Sequence, residues 1–137
     1  MKQKTIDRLT SIMAEIHETY YRDVKRADGI WGDVGSLWVH EGSGDTPTVS
    51  IDLYHFEGDG LPVCDGLTWP GTCPHCHEAT DVRAFCVHYN PADAPDPVTL
   101  LCYEDQGDCD DWWLKPADVP ESVLQAVADW LEAERKH

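Results

Sequence analysis

The sequence predicts an α+β domain: a mainly antiparallel sheet flanked by an N-terminal and a C-terminal helix, with a metal-binding knuckle inserted between strands. Three observations carry this. Helical periodicity occupies the two ends of the chain, and strand-like alternation occupies the middle. All six cysteines also fall in the middle, with Cys73 and Cys76 as a C-x-x-C pair. The 137 residues suit one domain, residues 1–137.

Residues 5–26 read as a helix. Ile6, Leu9, Ile12, Met13, Ile16, Tyr20 and Val24 recur at spacings of three and four and form one apolar stripe. Gly29, after Ala27-Asp28, is the expected stop. Residues 36–56 read as a hairpin. Its strands are 36–40 and 48–56, joined through Gly42-Ser43-Gly44-Asp45. In the second strand Val49, Ile51 and Leu53 alternate with Ser50 and Asp52, as on a half-buried surface.

Residues 57–81 are dense in Gly and Pro and read as an irregular metal-binding region. Residues 82–104 read as a strand pair, 82–87 and 98–103, linked by the Pro-rich stretch 90–97. Residues 119–136 read as the closing helix. Asp118 is its expected N-cap, with Glu121 three residues on and Pro120 in the first turn. Leu124, Val127, Ala128 and Leu131 form its buried stripe, edged by Val123 and Trp130. Arg135, Lys136 and His137 sit at the negative end of its dipole.

A hydrophobic content of 42% is too high for a disordered chain, despite a net charge of −16. That charge is unevenly placed. Residues 1–26 carry a net +2 and residues 115–137 a net −2. Residues 27–114 carry one basic residue, Arg83, against seventeen acids. Such a stretch repels nucleic acid and anionic membranes and attracts a basic protein surface. No apolar run follows Met1-Lys2-Gln3-Lys4 and none reaches membrane-spanning length, so the sequence predicts a cytoplasmic protein. Thiols stay reduced there, and cysteine pairs more often bind metal than each other.

In Cys73-Pro74-His75-Cys76 two thiolates three residues apart can both reach one ion at ~2.3 Å. Cys102 and Cys109 form a second, wider pair, with Gly107 available to turn the chain back. Across roughly residues 72–110 the two pairs resemble the zinc-ribbon arrangement. That resemblance implies a structural Zn²⁺ on Cys73, Cys76, Cys102 and Cys109. Alternates for the fourth place are Cys86, Cys64, His75, His77 and His88. An iron–sulfur centre and disulfides are the competing readings of the cysteines; a redox C-x-x-C lacks its βαβ setting.

Catalytic readings fare poorly. His55-Phe56-Glu57 ahead of Cys73 and Cys76 invites comparison with zinc deaminases, whose signature is H-x-E followed by P-C-x-x-C. Here Thr72 precedes Cys73, and the intervening stretch 58–72 is Gly- and Pro-rich, too short for a helix and a strand. There is no H-E-x-x-H, no phosphate-binding glycine loop and no G-x-S-x-G. A closed four-thiolate site has no open position for water, which favours a structural metal over an enzyme.

Asp105, Asp108, Asp110 and Asp111 crowd beside Trp112 and Trp113. Carboxylates interleaved with aromatic anchors suit a protein interface. An adjacent tryptophan pair on a strand cannot face one core together. Duplex DNA carries one charge per ~1.7 Å of axis, so sixteen charges match ~27 Å of duplex. The expected function is inhibition of a basic nucleic-acid-binding protein by occupying its nucleic-acid site, with no direct binding of nucleic acid or membrane. In charge, though not in motif, this is analogous to anti-CRISPR, anti-restriction and nuclease-immunity proteins. The rival readings are a zinc-ribbon adaptor of an acidic, salt-adapted proteome and a zinc-dependent hydrolase or deaminase.

Overall fold

The computed structural model describes residues 2–25, 31–42, 47–53, 67–104 and 109–136. Helix α1 spans Lys2–Thr19 and continues as a π-helical turn, Tyr20–Val24. Among the described residues seven strands follow: β1 Trp31–Val34, β2 Leu37–Glu41, β3 Val49–Asp52, β4 Thr68–Thr72, β5 Ala79–Tyr89, β6 Val98–Glu104 and β7 Trp112–Leu114. Helix α2, Glu121–Glu134, closes the chain. The strands form one sheet in the order β1-β2-β3-β5-β6-β7, with β4 also paired to β5. Among the described residues every pairing is antiparallel, so the architecture is the α+β class that the sequence predicts.

Strand β5 is the spine. Its first half pairs with β4, from Thr72↔Ala79 to Thr68↔Arg83. Its second half pairs with β3, from Asp52↔Cys86 to Val49↔Tyr89. Strand β6 runs along its other edge with a register shift between Ala84 and Cys86. The extra residue keeps Val82, Ala84 and Val87 on the core side although their spacing breaks simple alternation.

One face of the sheet is buried under the helices. Val39, Ile51, Val87 and Leu100 lie opposite one another across four strands and are fully buried. Leu9, Ile12, Met13, Ile16 and Tyr20 of the first helix pack on this layer, as do Val123, Leu124, Val127, Ala128 and Leu131 of the second. Both predicted stripes are therefore core, with Ile6, Val24 and Trp130 partly buried at their edges.

The tight β1–β2 turn docks against the end of α2. Ser36 N donates to the Glu134 carbonyl at 2.9 Å, and the Ser36 hydroxyl donates to the Glu134 carboxylate. Gly35 has φ +61°, and a Cβ there would meet the backbone of Glu134 and Arg135. Arg135 stands at the helix C-cap and pairs with Glu132 at 2.9 Å and with Glu15 of α1.

Several boundaries differ from expectation. The predicted hairpin is present as β2–β3, but it gains an outer strand, β1. Region 57–81 is not wholly irregular: β4 lies within it, Pro70 included, because β5 extends back to Ala79 and offers a pairing edge. Strand β7 forms where the sequence showed only tryptophans among acids. Asp118 is not the helix cap. It lies in a short 3₁₀ turn, Pro116–Asp118, and Pro120 takes the capping position without a side-chain bond. Glu121 instead accepts from the Thr5 hydroxyl at 3.1 Å, because α1 docks beside the start of α2. Gly29, the turn at 43–45 and His137 lie outside the described residues. No described helix is long and apolar enough to cross a membrane.

Candidate metal centre

Strands β4 and β5 are joined by a tight turn, and that turn is the C-x-x-C knuckle. Cys73 N donates to the Glu78 carbonyl at 3.0 Å, and His77 N donates to the Cys73 carbonyl at 2.9 Å. The backbone N–H of His75 points at the Cys73 sulfur, 3.3 Å away. An N–H aimed at sulfur stabilises the thiolate, the form that binds metal. The loop closes at His77 with φ +63°, a left-handed conformation usually left to Gly or Asn. Folded this way, the turn sets two thiols side by side, Cys73 buried and Cys76 exposed.

Two further groups arrive from the neighbouring strand pair. Cys109 lies just before β7, and Glu104 ends β6. The sulfurs of Cys73, Cys76 and Cys109 and a carboxylate oxygen of Glu104 all lie within 4.8 Å of one another, close enough to hold a metal ion. Cys76 Sγ is 3.3 Å from Glu104 Oε1. A sulfur and an oxygen on one tetrahedral zinc ion stand ~3.5 Å apart, given bonds of ~2.3 and ~2.0 Å.

The cluster brings together four groups that bind metal only in their deprotonated forms. Glu104 is buried, and the thiols of Cys73 and Cys76, with the Cys109 backbone, hold its carboxyl below the usual range. A hydrogen bond to Cys73, then burial, then a hydrogen bond to Cys76 pushes the Cys109 thiol up to about 12. Without a cation such a group holds its protons; a divalent ion would replace them.

The fourth member is therefore Glu104 and not Cys102. Both lie on the same side of β6, one pleat apart, but Cys102 points into the apolar core and is fully buried there. Burial pushes its thiol up to about 12, and its sulfur has only a weak contact with the Leu100 carbonyl at 3.8 Å. The expected wide cysteine pair missed the register: the strand carries the chain two residues further before it emerges beside the knuckle. A buried acid in phase with Leu100 and Cys102 was the signal available for Glu104.

The alternates fall elsewhere. Cys86 lies on the opposite side of the sheet, its thiol pushed up to about 12 by burial and then by Asp52. His88 is on that side too, its Nδ1 2.7 Å from the Ser50 hydroxyl. His75 is exposed, edge-on to Trp112 with ring centroids 6.1 Å apart, and His77 is exposed. Cys64 and His55-Phe56-Glu57 lie outside the described residues, as do Asp105 and Asp108 of the acidic cluster. Asp110 and Asp111 are exposed. Trp112 packs partly against the core, while Trp113 faces away and is 52% exposed.

Comparison with protein-family models, curated proteins and solved structures finds no match. The geometry therefore stands by itself: three cysteines and a glutamate, gathered from two strand junctions, form a cluster that can hold a metal ion.

Proposed function

We propose that the protein is a non-enzymatic, zinc-stabilised binding protein whose acidic surface occupies the nucleic-acid site of a basic partner. The observation that carries the metal reading is the Cys73, Cys76, Cys109 and Glu104 cluster. Three soft thiolates favour zinc over magnesium or calcium, which prefer oxygen. Four protein ligands leave no open coordination position, so the ion is structural. It ties the β4–β5 knuckle to the β6–β7 junction, where Asp110 and Asp111 are displayed.

The charge of −16, with one cation in residues 27–114, supports the partner class. A surface of this sign steers association with basic proteins and makes it fast and salt-sensitive.

Two measurements test this reading. Elemental analysis of protein purified without chelator should find one zinc per chain, lost in Cys73→Ser and Cys109→Ser. A partner captured with the intact protein should be released by moderate salt and by excess duplex DNA. Binding that survives high salt and is untouched by DNA would make the protein an adaptor and not a mimic.

A further inference from the structure

Rows of directly opposed residues define the sheet face turned away from the helices. Trp31, His40, Ser50, His88 and Thr99 form one row. Asp52, Cys86, Leu101 and Trp113 form the next. Trp38 shares this side, because it alternates with His40 on β2 and pairs with Asp33 on β1. Both helices pack on the other side.

We propose that this face docks an arginine- and lysine-rich segment of a partner protein, with cationic side chains lying on Trp31, Trp38 and Trp113. This rests on the reading of the protein as a binder of basic surfaces, and it names the surface.

The face is aromatic and exposed at its two ends, while the small side chains at its centre, Ser50 and Cys86, are buried among their neighbours. Trp31 is 44% exposed, Trp38 47% and Trp113 52%, and these are the exposed large hydrophobic residues of the described chain. They stand in two groups. Trp31 packs on Trp38 and His40, with ring centroids 4.8 and 4.5 Å apart. Trp113 packs edge-on to His88 at 5.6 Å. Trp38 on β2 and Trp113 on β7 are four strand spacings apart, ~19 Å at ~4.8 Å each. An extended segment rises ~3.3 Å per residue, so about six residues bridge the two groups.

Charge selects the occupant. Tryptophan faces on an open sheet also stack nucleic-acid bases, but a phosphate backbone is repelled by a chain of net charge −16. A second copy brings the same charge and is repelled likewise. A cationic chain is attracted by that field, and its guanidinium and ammonium groups bind the π-faces directly. Asp33 and Asp52 lie on this face on either side of Trp38, placed to pair with the same cations.

The test uses full-length, zinc-loaded protein and a ten-residue peptide of alternating arginine and glycine, with citrulline in place of arginine as its control. Backbone NMR shifts on titration should concentrate at Trp31, Trp38, His40, His88 and Trp113, and the citrulline peptide should not bind. Trp38→Leu and Trp113→Leu should each weaken binding about tenfold, and Trp38→Phe, which keeps a ring, should weaken it less. Equal affinity in the leucine variants, with shifts at Asp110 and Asp111 instead, overturns this surface but leaves the basic-partner reading standing. Shifts on this face that grow with protein concentration alone make a second copy the occupant and overturn the proposal. No binding of the arginine peptide at low salt, or binding of single-stranded oligothymidylate in its place, overturns both.

Discussion

The Cys76 sulfur stands 3.3 Å from a carboxylate oxygen of Glu104, joining a turn and a strand end whose residues are 28 positions apart. This contact separates the cluster from the four-cysteine set expected of the sequence. Glu104→Gln should weaken zinc binding about a hundredfold, since even outer partners of a metal site cost 10–100-fold. Cys102→Ala should retain the full zinc content and lose only about 1 kcal/mol of core packing. Competition with a chromophoric chelator reads the first, and elemental analysis with urea unfolding the second.

Removing the metal should loosen the knuckle without dissolving the fold. The core of two helices on strands β1, β2, β3, β5 and β6 is separate from the cluster. Zinc held at 100 times its Kd contributes about 2.7 kcal/mol, which corresponds to roughly 10 °C in Tm. A strong chelator should lower the thermal midpoint by about that amount while far-ultraviolet circular dichroism at 25 °C stays nearly unchanged. Collapse of the whole spectrum would instead make the metal the main source of stability.

His77 carries the left-handed closure of the knuckle at φ +63°. A non-glycine residue in that region costs about 1–2 kcal/mol, partly offset because glycine gains more freedom when unfolded. His77→Gly should therefore raise stability by up to about 1 kcal/mol with zinc content unchanged. Loss of zinc in that variant would show that the imidazole is a ligand.

Gly35 closes the β1–β2 turn against the end of α2 at φ +61°. Gly35→Ala combines an unfavourable φ with a clash against the Glu134 backbone, and should cost more than about 2 kcal/mol in denaturant unfolding. Ser36→Ala, which removes only the hydroxyl contact, should cost less.

Glu132 pairs with both Arg135 and Lys136 at the end of α2. Lys136, then Arg135, lower its carboxyl from 4.5 to about 2. A depressed folded value means that the contribution is present above pH 4.5 and is lost as pH falls toward 2. The pairs are partly exposed, so the contribution should be at most about 1 kcal/mol. The stability difference between wild type and Glu132→Gln should be constant from pH 6 to 8 and vanish near pH 2.

Local pattern made the two helices and the strands from Val49 and from Val98 legible. Their periodicity reports directly which side chains leave water, as Leu9 to Tyr20 and Leu124 to Leu131 show. Strands β1, β4 and β7 were not legible. Trp31–Val34, Thr68–Thr72 and Trp112–Leu114 are three to five residues long and become strands because a longer neighbour offers them an edge. The first half of the metal cluster was equally legible, since Cys73 and Cys76 lie within one turn.

By itself, then, the sequence determined the helix stripes, the antiparallel class, the acidic middle of the chain and the first two thiols of the candidate metal cluster, all of which depend on neighbours a few residues apart. Tertiary structure decided that Glu104 and not Cys102 meets those thiols. Register along β6 sets which pleat emerges beside the knuckle, and a shift of one pleat moves a side chain from the core to the site. Only the tertiary structure, too, brings Trp31, Trp38 and Trp113 onto one face of the sheet, because strand order across the sheet is set by pairings between distant segments.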